Sequence, residues 1–211
     1  MTKIALIGNP NCGKTTLFNL LTGANQKVGN WPGVTVEKKV GYYHYNNERM
    51  ELVDLPGVYG LEDDAAGIDE QIARDYLKNG DADLIINILD ATNLERSLVL
   101  TQQLLEDDKA VIVVVNMLDV AQQQGLEIKA HKLAEQLGVP VMAMVASRRK
   151  GLIELQGAIK EVLSNPEKFA ARKSESDSVV AAEQTEPTEN ILRRYHRSRQ
   201  LANGVVEVNA E

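Results

Sequence analysis

The first residues whose types and spacing can do chemistry are Gly8-Asn9-Pro10-Asn11-Cys12-Gly13-Lys14-Thr15, a G-x-x-x-x-G-K-T pattern. Glycines let such a turn curl until successive backbone N–H groups point inward at phosphate oxygens. A helix starting just beyond adds partial positive charge at the same place. Lys14 is spaced to reach the β- and γ-phosphates of a nucleoside triphosphate, the Thr15 hydroxyl to hold Mg²⁺, and Thr16 to line the same cradle. Cys12 reads as a small filler of the turn, although a nearby helix start lowers a thiol's pKa.

Further patterns continue that chemistry. Asp54-Leu55-Pro56-Gly57 comes about forty residues later, at the end of an expected strand. Asp54 there can hold Mg²⁺ through water, and the Gly57 N–H can sense a γ-phosphate. Gly33-Val34-Thr35 leaves a long loop, and Thr35 can close over Mg²⁺ and γ-phosphate. Asn116-Met117-Leu118-Asp119 follows an apolar run. A carboxylate at that place accepts both the N1–H and the exocyclic amine of guanine, a pair that adenine does not offer. Ala146-Ser147 ends the next strand, where a backbone N–H can read the guanine oxygen; that pair is weakly specific.

The elements that must position these groups follow from periodicity. Residues 3–7 form a strand and 14–22 a helix, with 24–35 an aperiodic loop. Val36–Tyr45 and Arg49–Val53 form a hairpin turned at Asn46-Asn47. Residues 54–68 are irregular, and a helix runs from Asp69 to Gly80. Strands at 83–89, 110–115 and 140–145 then alternate with helices at 94–107, 127–137 and 152–163. Near-continuous apolar strands between helices predict an α/β fold: a mainly parallel six-stranded sheet with one antiparallel edge strand and helices on both faces. Ligands of such sheets sit at the carboxyl ends of the strands, where every motif above falls. This domain covers residues 1–164. Residues 165–188, rich in Ser, Glu, Ala and Lys, read as a linker or loosely held segment. Residues 189–211 form a short helical extension, capped by Thr188. Its Arg193, Arg194, Arg197 and Arg199 make either a solvated basic face or a surface toward anionic lipid.

Composition sets bounds on function. The 211 residues carry a net charge of −7 and 44% apolar residues, which suits a globular chain and argues against a nucleic-acid partner, including ribosomal RNA. A single cysteine excludes a disulfide framework and points to a reducing compartment. The apolar runs at 84–89 and 111–115 are too short to span a bilayer. Met1-Thr2-Lys3 leads straight into a strand, so no signal peptide is expected. His44, His131 and His196 have no metal-ligand spacing.

Taken in order, these elements resemble a Ras-type small GTPase, a P-loop NTPase fold. Asn116-Met117-Leu118-Asp119 resembles the N-K-x-D element of GTPases, with Met117 replacing the lysine whose stem lies over the base; a methionine side chain can do the same. Val58 departs from Ras-like proteins, which carry there the glutamine that orients the attacking water.

The longer runs are very similar to the N-terminal G domain of bacterial ferrous iron transport protein B (FeoB). They are Gly8 to Asn19, Val28-Gly29-Asn30-Trp31-Pro32-Gly33-Val34-Thr35-Val36-Glu37, Asp54 to Tyr59, Asp69-Glu70, Asp90 to Arg96 and Asn116 to Asp119. The resemblance implies GTP and GDP binding and K⁺-stimulated hydrolysis of GTP. It implies a cytoplasmic domain at the bacterial inner membrane, preceding a membrane transport domain. Carried over by position, Asn11 becomes a K⁺ ligand, with the backbone carbonyls of Gly29 and Trp31 closing the site and the cation supplying the charge an arginine finger brings elsewhere. The residues alone leave Asn11 equally able to satisfy the turn's own backbone. Lys14, Asn11, Thr35 and Gly57 form the implied catalytic group. Small cytoplasmic accessory proteins and a homo-oligomer remain open as further partners. So does an alternative, favoured by Val58: a nucleotide-gated binding module with negligible turnover. The family continues with a larger helical domain, whereas about 45 residues follow the match here. The end at Glu211 reads as a piece of a longer protein.

Overall fold

Strand β1 (Lys3–Gly8) shows why apolar alternation is missing from the centre of this protein. Ile4 and Leu6 face one core, Ala5 and Ile7 the other, and all four are fully buried. A strand covered on both faces needs no polar side. The computed structural model describes residues 1–23, 25–62, 67–80, 82–169 and 187–208.

Among the described residues eight further strands are β2 (Gln26–Asn30), β3 (Glu37–Tyr45), β4 (Glu48–Asp54), β5 (Leu84–Asp90), β6 (Ala110–Asn116), β7 (Leu126–Ile128), β8 (Val141–Ala143) and β9 (Val206–Val208). The helices are α1 (Lys14–Thr22), α2 (Ile68–Lys78), α3 (Leu94–Glu106), α4 (Leu118–Gln123), α5 (Ala130–Leu137), α6 (Leu152–Ser164) and α7 (Pro187–Val205). Seven strands make one sheet in the order β2-β3-β4-β1-β5-β6-β8. Strands β4, β1, β5, β6 and β8 are mutually parallel; β3 runs antiparallel to both of its neighbours. Apolar residues of α1 and α6 fill the core on one face, and those of α2, α3, α5 and α7 the core on the other. The β3–β4 turn is Asn46-Asn47, both residues at positive φ (50° and 64°), as a two-residue hairpin turn demands.

The sheet has seven strands where six are expected, because the segment read as a loop contains β2. That strand is polar and mostly exposed, with Val28 61% accessible, so it lacks alternation. Its ladder to β3, from Gln26 opposite Gly41 to Asn30 opposite Glu37, defines it instead. The pair β7–β9 forms a second, small sheet, and β9 ends an extension expected to be helical throughout.

Helix α7 packs antiparallel on α3. Leu201 and Ala202 are buried there, and Val205 is fully buried. Arg194 forks onto both carboxylate oxygens of Glu106, at 3.0 and 2.8 Å, and Arg199 reaches Glu95 at 3.1 Å. Two of the four arginines read as a solvated or lipid-facing surface are therefore tied to α3. The expected cap at Thr188 and most of the expected linker lie outside the described side chains. Of the linker's first residues, Phe169 is buried in the α1–α6 core.

Candidate functional site

The carboxyl ends of β1, β4, β6 and β8 converge on one cradle. The turn after β1 uses left-handed backbone at Asn11 (φ 63°) and Gly13 (φ 90°). Gly13 has no alternative: a Cβ there would lie 2.2 Å from Asn116 Nδ2. A Cβ on Gly8 would sit 2.5 Å from the Ile88 carbonyl oxygen and 2.8 Å from Cys12 Sγ. The backbone must pass this close for the turn to fit between strands, so both glycines of the pattern are packing requirements as well as flexible joints.

Asn116 staples the cradle together. Its Nδ2 donates to the Cys12 carbonyl at 3.0 Å, and its Oδ1 accepts from the Ala146 N–H at 2.9 Å. One buried amide thus links the phosphate turn, the end of β6 and the loop after β8. Met117 takes left-handed backbone (φ 64°) and opens α4. Asp119 lies in the first turn of that helix with its side chain 23% exposed, and Arg148 Nε lies 3.7 Å from its Oδ2. Ser147 belongs to the short turn Ala146–Arg148 beside them.

Asp54 ends β4, and its carboxylate receives a hydrogen bond from Lys14 Nζ. The 55–58 turn is pinned to β1: Leu55 N donates to Leu6 O, and Val58 N donates to Gly8 O, each at 3.0 Å. Gly57 lies against the phosphate turn, where a Cβ would come within 3.1 Å of Pro10 Cα. Pro56 is half-buried and Leu55 and Val58 are fully buried. The Val58 side chain belongs to the core. Burial pushes the Cys12 thiol up to about 11, outweighing the backbone hydrogen bond at Lys14 and that residue's charge. The helix-start effect loses, and Cys12 is a neutral filler near pH 7.

The first loop is held differently. Trp31 is its one buried side chain among the described residues, packed edge-on against Tyr76 of α2 with ring centroids 5.7 Å apart. Lys38 Nζ lies 4.5 Å from the indole centroid. Trp31 N donates to Val36 O, and Val34 N donates to Trp31 O, closing a turn that contains Gly33 at φ 75°. Gly29 lies opposite Lys38 in the ladder. Thr35, Gly29 and Asn11 are exposed. Among the described residues no hydrogen bond joins Gly29, Trp31 or Thr35 to the 8–16 segment.

Thr15 and Thr16 are exposed at the start of α1 beside Lys14 and Asp54, so hydroxyl and carboxylate oxygens suited to a hard cation lie next to the backbone cradle. The donor set and the sterically enforced turn fit a nucleotide phosphate with Mg²⁺. Asp90, in a run quoted for the family resemblance, spends its carboxylate on the Thr92 N–H and hydroxyl, at 2.8 and 2.6 Å.

Residues 2–159 match the family described as ferrous iron transport protein B. The chain belongs to that family. It is 52% identical over 164 residues to the Fe(2+) transporter FeoB of Shigella flexneri, covering 77% of this chain but 21% of that transporter. This FeoB-family chain thus spans about a fifth of the length of such relatives. The cytosolic domain of L. pneumophila FeoB superposes with a TM-score of 0.80 at 36% identity, covering 98% of this chain and 100% of that one. The G domain of T. maritima FeoB gives 0.71 at 48% identity, over 76% and 98%. The GMPPNP form of the T. maritima cytosolic domain gives 0.79 at 33%, over 98% and 100%. The fold is a P-loop G domain. Among the described residues no helix is long and apolar enough to cross a membrane.

Gln103 on α3, which contacts the segment after Gly57, was not anticipated from the sequence. A glutamine on an amphipathic helix carries no signal that separates a buried clamp from a solvated face.

Proposed function

We propose that this chain is the guanine-nucleotide domain of a ferrous iron transporter, hydrolysing GTP to GDP and phosphate on the cytoplasmic face of a bacterial inner membrane. The membrane domain would belong to the rest of the protein. The observation that carries the reading is the Asn116 staple. It fixes Asp119 and the Ala146-Ser147 pair, the expected readers of guanine, to the turn that would hold the phosphates; the Ala146 N–H itself is spent on Asn116 Oδ1, which leaves the guanine oxygen to the next backbone N–H, that of Ser147. The GMPPNP form of a T. maritima relative supports the same ligand class.

Lys14, the backbone of residues 9–15 and Thr16 would hold the phosphates. Thr15 and Asp54 would hold Mg²⁺, with Asp54 released from Lys14 when phosphate oxygens take that ammonium, and Thr35 would join from the first loop. Bound there, Mg²⁺ supplies charge neutralisation. The Gly57 N–H would sense the γ-phosphate. A buried Val58 leaves water orientation to the backbone of the first loop. Asn11 and the carbonyls of Gly29 and Trp31 would hold K⁺, whose charge favours the transition state.

The test is GTP hydrolysis in KCl against NaCl at equal ionic strength, for the wild type and Asn11→Ala. The expected result is a K⁺ stimulation of tenfold or more, lost in the variant. Equal rates in both salts would sink the K⁺ role. Buried Val58 favours one second reading, a nucleotide-gated binding module. Single-turnover phosphate release no faster than nucleotide dissociation would establish that alternative.

A further inference from the structure

Between Gly57 and Glu62 the chain is held at both ends. Val58 N bonds to the Gly8 carbonyl at the start of the phosphate turn. Three residues on, the side chain of Gln103 takes over: its Oε1 accepts from the Leu61 N–H at 2.8 Å, and its Nε2 donates to Glu62 Oε1 at 2.9 Å. Gln103 is 9% exposed, and its helix is anchored by fully buried Leu98, Leu100 and Leu104. The clamp therefore has a rigid base.

The spacing leaves the segment little freedom. A Cβ on Gly60 would meet Glu62 Oε2 at 2.4 Å and Gln103 Oε1 at 3.2 Å, so any side chain there would displace the clamp's own carboxylate and amide. The Arg96 guanidinium, also from α3, lies 3.7 Å from the Tyr59 ring centroid. Glu62 is oriented from two more sides: Arg74 of α2 donates to its backbone carbonyl at 3.2 Å, and Arg194 of α7 stands 3.9 Å from its carboxylate. Gly57 cannot move away from Pro10 unless the residues after Val58 give way, and Gln103 holds those residues by two hydrogen bonds at once.

We propose that Gln103 is a positioning residue for the γ-phosphate response, holding residues 58–62 so that the Gly57 N–H keeps its register against the 8–15 turn. The proposal rests on the GTPase reading above, and it touches neither nucleotide nor metal directly. It predicts that losing the clamp lowers discrimination between triphosphate and diphosphate while leaving the cradle itself intact.

The experiment compares wild type, Gln103→Leu, Gln103→Glu, and the double variant Gln103→Glu/Glu62→Gln. Leucine keeps the buried volume and removes both hydrogen bonds. Glutamate sets two carboxylates against each other. The double variant restores the pair with donor and acceptor exchanged. Two quantities are read: the ratio of GMPPNP to GDP affinity, and the single-turnover GTP hydrolysis rate. In both single variants each should fall about tenfold, with GDP affinity changed less than about threefold. The exchanged pair should return both to within about threefold of wild type, a rescue that a packing role would not give. Unchanged ratio and rate in folded Gln103→Leu, or a single-variant loss the double variant does not recover, would overturn the proposal. If wild type binds both nucleotides without hydrolysing GTP, the hydrolase reading fails by itself and the affinity ratio still decides the clamp.

Discussion

The phosphate turn and the first loop border the same site, yet they are built on opposite rules. The turn is braced from every side: Gly8 against β5, Gly13 against Asn116, Asn116 against Cys12 and Ala146, and Gly57 against Pro10. The first loop, residues 25–36, presents exposed side chains on an edge strand and buries only Trp31. The lesson concerns when order is established. A cradle whose polar groups are already satisfied loses little freedom when a ligand arrives, so on the proposed reading its residues would set affinity and base choice. An edge strand held by a single ladder, one buried ring and the half-buried Val34 and Val36 can be rearranged at smaller cost, which suits groups needed only with a γ-phosphate present.

The largest effect should come from breaking the braced side. Gly13→Ala forces a side chain into left-handed backbone, which costs about 1–2 kcal/mol. It also drives a methyl into Asn116 Nδ2. Displacing that amide would leave the Cys12 carbonyl and the Ala146 N–H unpaired, at about 1–3 kcal/mol each. GDP affinity should fall by more than about hundredfold, read by titration with a fluorescent analogue. A folded variant that binds GDP within tenfold of wild type would mean that the turn is not the braced element described.

A second substitution keeps the cradle and changes what it reads. Asp119→Asn replaces two acceptor oxygens by one acceptor and an amide donor. Guanine then loses the partner for one of its two donors, while xanthine, which carries an oxygen in place of the exocyclic amine, gains one. GDP affinity should drop by about hundredfold, and the xanthine nucleotide should become the better ligand in a calorimetric competition. Arg148, 3.7 Å from Asp119 and well exposed, contributes little to this choice. Loss of both nucleotides together would assign Asp119 to holding α4 rather than to reading the base.

The braced side was also the legible one. Its residues lie in short motifs whose glycines, lysine and carboxylates have few other uses, and its strands are long apolar runs. Lys14, Asp54, Gly57, Asn116 and Ala146 come together where strand ends predict. What escaped the sequence was polar and local. Strand β2 is defined by its ladder and not by its side chains, and β7 and β9 are each three residues long. Asn116 was expected to touch nucleotide, and its hydrogen bonds to two other loops have no sequence signature. The Arg194–Glu106 and Arg199–Glu95 pairs join helices far apart in the chain. From one helix alone, those arginines look the same as a solvated face.

The smallest effect should come from the loosely held side, and it tests whether the anchor is apolar. Trp31 is 7% exposed, yet its Nε1 is buried without a hydrogen-bond partner among the described residues. Trp31→Phe removes that unpaired N–H, worth about 1 kcal/mol in the variant's favour. It also shrinks the buried ring, an opposing loss of similar size. The edge-on contact with Tyr76 and the Lys38 cation above the ring survive, the latter weakened because phenylalanine is the poorer partner. Stability by urea denaturation should therefore move by less than about 1 kcal/mol, and GDP affinity by less than about twofold. Trp31→Ala removes the same N–H but the whole ring with it, and should cost about 3 kcal/mol. If phenylalanine proves as damaging as alanine, the indole N–H has a partner on the loop, and the first loop is braced by polar bonds as the cradle is.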